Sequence, residues 1–207
     1  MAKYDKVARR RLDRLSMELT FPNGKAKFLD GWQAYANESA RLQGRVAGPS
    51  EDASVYTVQI RQPSLVAAGQ FHDSWVLLVQ LNHPNYPKEI AWPTFVSTPV
   101  PFNPHVSAKS GVLCSGNLWS STTTLAEFVV KVMRLLNLDE TLPDRESGLN
   151  HDATRYWRTL MAGRPLYADL RYPEAQRPTV AASPEPAGLF GTVVVTGSTG
   201  TRAGGQK

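Results

Sequence analysis

Cysteine is almost absent from this chain: its 207 residues include one, Cys114. A single cysteine excludes an internal disulfide framework and is typical of a protein kept in a reducing compartment. No stretch approaches the ~18 consecutive apolar residues of a membrane-spanning helix. The N-terminal residues lack the apolar stretch of a secretory signal. We therefore expect a cytoplasmic protein that has no membrane as a partner.

Signatures of cofactor binding are missing as well. The sequence has no Gly-x-x-x-x-Gly-Lys loop, so we expect no bound nucleotide. His72, His83 and His151 show no metal-ligand spacing with Cys114, so we assign no metal. The sequence thus predicts a protein without a cofactor.

A strong charge of one sign is also lacking, because the net charge is +5. Much of it comes from basic residues near the N-terminus: Lys3, Lys6, Arg9, Arg10, Arg11 and Arg14. They fit either a solvated helix face or a docking face for an acidic protein partner, and the sequence leaves both open. They are not interleaved with aromatic residues and match no recognition motif, so we expect no nucleic-acid partner.

The chain does contain enough apolar material for a core, since hydrophobic residues make up 42% of it. Its length suits one domain of about 150 residues with appendages. Apolar residues at helical spacing predict helices, and alternating or short apolar runs bounded by turns predict strands. The predicted helices cover 3–19, 124–138 and 149–163, and Thr124 with Glu127 predicts a capping box at the start of the second. The predicted strands lie within 41–49, 54–62, 74–82 and 89–97.

This order of elements predicts an α+β fold. The strands follow one another with short links, so we expect a four-stranded antiparallel meander, preceded by the first helix and followed by the C-terminal helices. Cys114 lies in an irregular stretch, 98–123, and long loops in compact domains are usually functional or disordered. A late shift to Pro-, Ala- and Gly-rich composition predicts a folded domain over 1–165 and a mostly flexible extension over 166–207.

Several motifs, in one order, carry a resemblance to a known family. They are WVLLVQLNHPNYP at 75–87, NPH at 103–105, SGVLC at 110–114 followed by Trp119, TTTLAEFVVKVMRLL at 122–136, and GLNHDATRYW at 148–157. Over residues 3–163 the chain resembles the ubiquitin-conjugating enzymes. As a whole, the sequence resembles the bacterial members of that family, which occur in ubiquitin-like conjugation operons linked to antiphage defence.

The resemblance implies a ubiquitin-conjugating-enzyme-like fold and a transferase that works through a thioester. Cys114 would accept a ubiquitin-like modifier protein from an activating enzyme and pass it to an amine on a protein target. The basic first helix would help to dock the activating enzyme, and the step that consumes ATP would belong to that partner. A thiol with this role must be partly exposed, and the Gly- and Ser-bordered loop around Cys114 suits that need.

The chain departs from the family pattern just before the cysteine. Asn103-Pro104-His105 stands where the family has His-Pro-Asn, so His105 occupies the place of the signature asparagine. A ring N–H of His105 can stabilise negative charge on a carbonyl oxygen, and the ring can also act as a base near neutral pH. Asn103 is the other catalytic candidate, with an ordinary turn residue before proline as the alternative.

Two further positions differ from the family or stay open. Lys88 and Glu89 occupy the stretch in which the family carries an aromatic residue for ligase docking. The acceptor amine must lose a proton, and Asp144, Glu146 and Ser147 are the local candidates for assisting that step.

Two other functions remain compatible with the sequence. One is a catalytically inactive module that binds a ubiquitin-like partner; the altered signature favours it, and the retained Cys114 opposes it. The other is a cysteine hydrolase with a Cys114–His105 dyad. A hydrolase needs an orienting third group and an oxyanion hole, and neither can be read from the sequence.

Overall fold

The computed structural model describes residues 5–21, 26–28, 54–139, 149–159 and 164–178. Its helices and strands, in chain order, are α1 (Lys6–Thr20), β1 (Ala26–Phe28), β2 (Val55–Ala67), β3 (Gln70–Gln80), β4 (Thr94–Phe95), α2 (Leu125–Leu136) and α3 (His151–Thr159). A single 3-10 turn, Gly116–Leu118, separates Cys114 from α2. The predicted α+β class, with a helix first and an antiparallel sheet after it, is confirmed.

The sheet has the order β1-β2-β3-β4 and every neighbouring pair is antiparallel. Alternation decides which side chains of β2 enter the core: Tyr56, Val58 and Ile60 are buried there, as their spacing predicts. Trp75 and Leu77 of β3 lie opposite Ile60 and Val58 and are also fully buried. This face of the sheet packs against the helices and forms the main core.

The strands differ from the prediction in position and length. The predicted strand within 41–49 lies outside the described residues, so the predicted set of four strands is not confirmed. In the segment 25–40, apolar residues have helical spacing that Gly31 interrupts, and the sequence leaves its structure open; its described residues, 26–28, form the short strand β1. The strand predicted over 89–97 is reduced to β4, which begins directly after Pro93, a residue without an N–H to donate.

Helix α1 is fastened to the start of α2 by two of its own polar side chains. Asp13 Oδ1 accepts from the N–H of Leu125 at 2.9 Å, and Ser16 Oγ accepts from the N–H of Ala126 at 3.2 Å. The first N–H groups of a helix have no partner within the helix, so these bonds satisfy them. Thr124 and Glu127 add the predicted capping box, which is confirmed.

The other end of α2 is held in a matching way. Its last carbonyl groups accept hydrogen bonds from three buried side chains: Gln62 donates to Met133, Asn103 to Leu135 and Ser64 to Leu136, at 2.7, 2.7 and 2.5 Å. Two of these donors come from β2 and the third from the segment before Cys114. Helix α2 is therefore the scaffold to which the sheet and the cysteine segment are both attached.

Helix α3 begins as predicted, since Asn150 Oδ1 accepts from the N–H of Ala153 at 3.1 Å. The described residues after it, 164–178, run back over the domain. The N–H of Gln176 donates to Thr20 Oγ1 at 2.8 Å, and Arg177 pairs with Glu127 at 2.7 Å. The boundary at 165 stays a prediction, but residues on its C-terminal side lie against α1 and α2. Within the described residues, no helix has the length and apolar character required to cross a bilayer.

Candidate functional site

The segment that carries Cys114 folds back on itself as a short antiparallel ribbon. Val106 and Leu113 form a β-bridge, and both are fully buried. The N–H of Cys114 donates to the carbonyl of His105 at 2.8 Å, which makes these two residues the next opposed pair of the ribbon. Since side chains alternate between the two faces, His105 and Cys114 point away from the core on the same face, and both are partly exposed.

A close backbone approach fixes this ribbon against β4. The N–H of Phe95 donates to Gly111 at 2.8 Å, and the N–H of Leu113 donates to Pro93 at 2.8 Å. Gly111 has φ +68°, and a Cβ atom built on it would lie 2.1 Å from the carbonyl oxygen of Phe95. A residue without a side chain is thus required three positions before the cysteine.

Asn103 anchors the N-terminal end of the same ribbon. Its side chain is buried, and it donates to the carbonyl of Leu135 and accepts from the N–H of His105 at 2.9 Å. Next to it, the carbonyl of Pro104 accepts from the N–H of Asn150 at 3.1 Å. The sequence identified Asn103 as a candidate for catalysis; the structure gives its amide two partners in the scaffold.

The connection from Cys114 to α2 is held from several sides. The ammonium of Lys131 donates to the carbonyl of Leu118 at 3.1 Å, across the 3-10 turn. Trp119 is buried, and its ring N–H donates to the carbonyl of Pro87 at 2.9 Å. The Trp119 ring also lies edge-on to Phe128, with 5.7 Å between ring centroids. Trp119 therefore has a structural role, because its buried ring covers the loop.

A buried polar cluster behind this connection was missed by the sequence analysis. Asp13 is fully buried and accepts from the hydroxyl of Tyr86, from Arg9 Nε and from the N–H of Leu125. Burial raises the pKa of Asp13 above its ordinary 3.8, against the opposing charge of Arg9 and the hydrogen bonds from Tyr86 and Leu125. The spacing of Arg9 and Asp13 by four residues was the available signal, but the run of arginines around it suggested a solvated face.

A small cleft adjoins the ribbon on the side of the helices. His105 lines it together with Leu138, Asp139 and Trp157, and its wall is mainly apolar. Asp144, Glu146 and Ser147, which the sequence offered as helpers for the acceptor amine, lie outside the described residues. Among the residues that are described, no group of three His, Cys, Asp or Glu side chains could hold a metal ion.

The geometry permits nucleophilic chemistry of a specific kind. Cys114 is a free, partly exposed cysteine at the end of an anchored ribbon, and partial exposure is what a nucleophilic thiol requires. His105 lies directly opposite in the ribbon, and an imidazole N–H is a donor of the kind that stabilises negative charge on a carbonyl oxygen. The structure brings the predicted Cys114 and His105 together on one face and places Asn103 beneath them.

Comparison with known proteins finds similar chains among solved structures. No family model matches the chain, and no curated protein matches it. Among solved structures, it is similar to the E2 domain of a Toxoplasma gondii ubiquitin-conjugating enzyme, with 16% identity and a TM-score of 0.39 over 64% of this chain and 90% of that one. It is also similar to a ubiquitin-conjugating enzyme E2 from Agrocybe aegerita, with 21% identity and a TM-score of 0.35 over 61% of this chain and 91% of that one. Similarity of this degree does not establish the family.

Proposed function

We propose that this protein is a ubiquitin-conjugating-like transferase that carries a ubiquitin-like protein as a thioester on Cys114. The observation that supports it is the position of Cys114, partly exposed and opposite His105 on the outward face of an anchored ribbon. The motifs around that ribbon add the resemblance to the conjugating enzymes. The expected context, a cytoplasmic system of bacterial antiphage defence, rests on the resemblance alone.

The reaction has two acyl-transfer steps. In the first, the Cys114 sulfur attacks the thioester carbonyl that joins the modifier's C-terminal glycine to the activating enzyme. A new carbon–sulfur bond forms on Cys114, the bond to the activating enzyme's sulfur breaks, and the departing thiolate takes up the proton that Cys114 lost. In the second, a target amine attacks the same carbonyl carbon, an amide forms, and Cys114 leaves as a thiolate that receives the proton lost by the amine.

His105 is assigned to the carbonyl oxygen in both steps. Negative charge develops on that oxygen in each tetrahedral intermediate, and a donor placed beside it lowers the barrier by about 3 kcal/mol. The proposal is supported by the cross-strand pairing of His105 with Cys114, which gives their side chains the same face of the ribbon. Asn103, whose amide already has partners in Leu135 and His105, is assigned a positioning role under the ribbon.

Docking of the activating enzyme is assigned to the exposed part of α1. Lys6 and Arg11 are exposed there and present positive charge to a partner. The side chain of Arg9 is 13% exposed and faces the interior, so it does not belong to this docking face. The remaining partners are the modifier and a target protein with an acceptor amine.

Three assays separate this proposal from its two rivals. The protein is incubated with an activating enzyme, ATP and the ubiquitin-like modifier, and the products are run on a non-reducing gel. A thiol-sensitive adduct that disappears in Cys114→Ala supports the transferase. Co-migration in a native binding assay without any adduct supports an inactive binding module. Cleavage of a modifier–peptide fusion that depends on Cys114 and His105 supports a cysteine hydrolase.

A further inference from the structure

Arg9 reaches from α1 to the chain segment that follows Cys114. Its Nη1 donates to the carbonyl of Ser121 at 3.1 Å, and its Nη2 donates to the carbonyl of Thr123 at 2.6 Å. Its Nε donates to Asp13 at 3.3 Å. Each of the three guanidinium nitrogens thus has a partner, and two of the partners are backbone carbonyls of one short segment.

That segment, 119–123, contains no helix or strand. Cationic side chains bond backbone carbonyls within this segment and at Leu118 directly before it. Lys131 of α2 holds the carbonyl of Leu118 from one side, while Arg9 of α1 holds Ser121 and Thr123 from the other. Cys114 is joined to this segment through a single 3-10 turn, so the position of 119–123 limits where the cysteine backbone can lie.

Only an arginine can make this set of bonds. The guanidinium is a rigid planar fork whose donors point in fixed directions, whereas a lysine presents one point charge. The Arg9 side chain is 13% exposed and Asp13 is fully buried, so removing the arginine takes the guanidinium donors from the carbonyls of Ser121 and Thr123 and leaves Asp13 without its cationic partner. Burying an ion pair is costly unless its charged groups are fully hydrogen-bonded. Here the bonds of Arg9 and Asp13 link α1 to the start of α2 and to segment 119–123.

We propose that Arg9 is a positioning residue for Cys114, acting through the carbonyls of Ser121 and Thr123. Loss of this fork loosens the segment 119–123 and lets the cysteine ribbon sample positions in which the thiol is more exposed but no longer aligned with His105. The proposal rests on the proposed transferase function where it concerns the rate of transfer. Its effect on the thiol itself is independent of that function.

The first test needs no partner protein. Cys114 is the chain's single cysteine, so alkylation by iodoacetamide reports on it alone. We expect Arg9→Gln to raise the second-order rate constant of alkylation at least ~3-fold at a pH where the wild type is folded, because the loosened loop exposes the thiol. Arg9→Lys keeps the positive charge but loses the planar guanidinium. Its alkylation rate constant should lie between those of the wild type and Arg9→Gln.

Ser64→Ala is the matched control. The Ser64 hydroxyl also donates to a carbonyl of α2, that of Leu136, at 2.5 Å. This bond lies at the C-terminal end of α2, whereas residues 119–123 precede its N-terminal end. It should lower the free energy of unfolding by a similar amount without changing alkylation. A wild-type alkylation rate in Arg9→Gln, or an equal acceleration in Ser64→Ala, would overturn the positioning role. If Arg9→Gln does not fold, the alkylation rate of Arg9→Lys is compared with those of the wild type and Ser64→Ala instead.

The second test uses the activating enzyme and modifier. At saturating activating enzyme, Arg9→Gln should lower the single-turnover rate constant of thioester formation about 10-fold while the half-saturating concentration of activating enzyme stays unchanged. A change confined to the half-saturating concentration would show that Arg9 acts in docking, and would overturn the proposal. If the wild type forms no thioester, the transferase function fails, and the alkylation result still decides the role of Arg9.

Discussion

Cys114 and His105 are nine residues apart in sequence and directly opposite each other in the ribbon, with the Cys114 N–H donating to the His105 carbonyl at 2.8 Å. Their inward neighbours, Val106 and Leu113, are fully buried and fix the face on which they lie. A shift of the ribbon by one residue would turn both site residues into the core. The pairing therefore depends on packing that does not take part in the chemistry.

His105→Ala tests whether the imidazole assists the transfer. We expect thioester formation and discharge to slow about 100-fold, the usual cost of losing one donor to a developing oxyanion. His105→Asn restores a neutral donor like that of the family signature and should recover part of the rate. Single-turnover gels measure both steps, and circular dichroism checks that the fold is kept. Wild-type rates in His105→Ala would reduce this residue to loop scaffolding.

Gly111→Ala tests the close approach between the ribbon and β4. We expect a loss of at least about 3 kcal/mol in the free energy of unfolding, since the methyl group meets a backbone oxygen and the left-handed φ is strained. Gly69→Ala is the matched control, because Gly69 has φ +72° with open space around it. It should cost about 1 kcal/mol. Equal losses in urea unfolding would contradict the packing described here.

Asn103→Asp tests the assignment of Asn103 to the scaffold. The substitution keeps an oxygen to accept from the N–H of His105 but places a second oxygen against the carbonyl of Leu135. We expect stability to fall by about 2–4 kcal/mol, with Asn103→Ala losing about 2 kcal/mol. Urea unfolding measures both. If either variant keeps the stability of the wild type but no longer forms the thioester, Asn103 has a catalytic role and the scaffold assignment is wrong.

Asp13→Asn tests the buried carboxyl that sequence reasoning missed. Because burial raises the folded-state pKa of Asp13 above 3.8, its protonated form is favoured by folding. Its contribution to stability is fully present below pH 3.8 and is lost as the pH rises through the folded-state value. The margin in unfolding free energy of wild type over Asp13→Asn should therefore shrink from pH 3.5 towards neutral pH. A margin that grows over this range would contradict the assigned direction.

Local signals in the sequence predicted most of the elements. Apolar periodicity located α1, β2, β3 and α2, and the Thr124–Glu127 pair located the start of α2. These features depend on residues a few positions apart, which a sequence displays directly. The motifs around Cys114 were recognisable for the same reason.

Features that depend on distant residues were not predictable. The inward turn of Arg9 requires carbonyls more than a hundred positions away, at Ser121 and Thr123. Asn103 could be read as catalytic because nothing local reveals its bond to Leu135. The opposition of His105 and Cys114 follows from the burial of Val106 and Leu113, a tertiary property that sequence spacing alone does not fix.

The most direct test of the central claim is the intact mass of the protein after reaction with a charged activating enzyme. We predict a gain equal to the modifier less one water, reversed by thiol and absent in Cys114→Ala. In Cys114→Ser the same gain in mass should remain after thiol is added, because thiols do not readily cleave an oxyester. If the wild type shows no gain while the activating enzyme is demonstrably charged with the modifier, or if the gain remains in Cys114→Ala, the account of Cys114 as the acyl carrier is wrong.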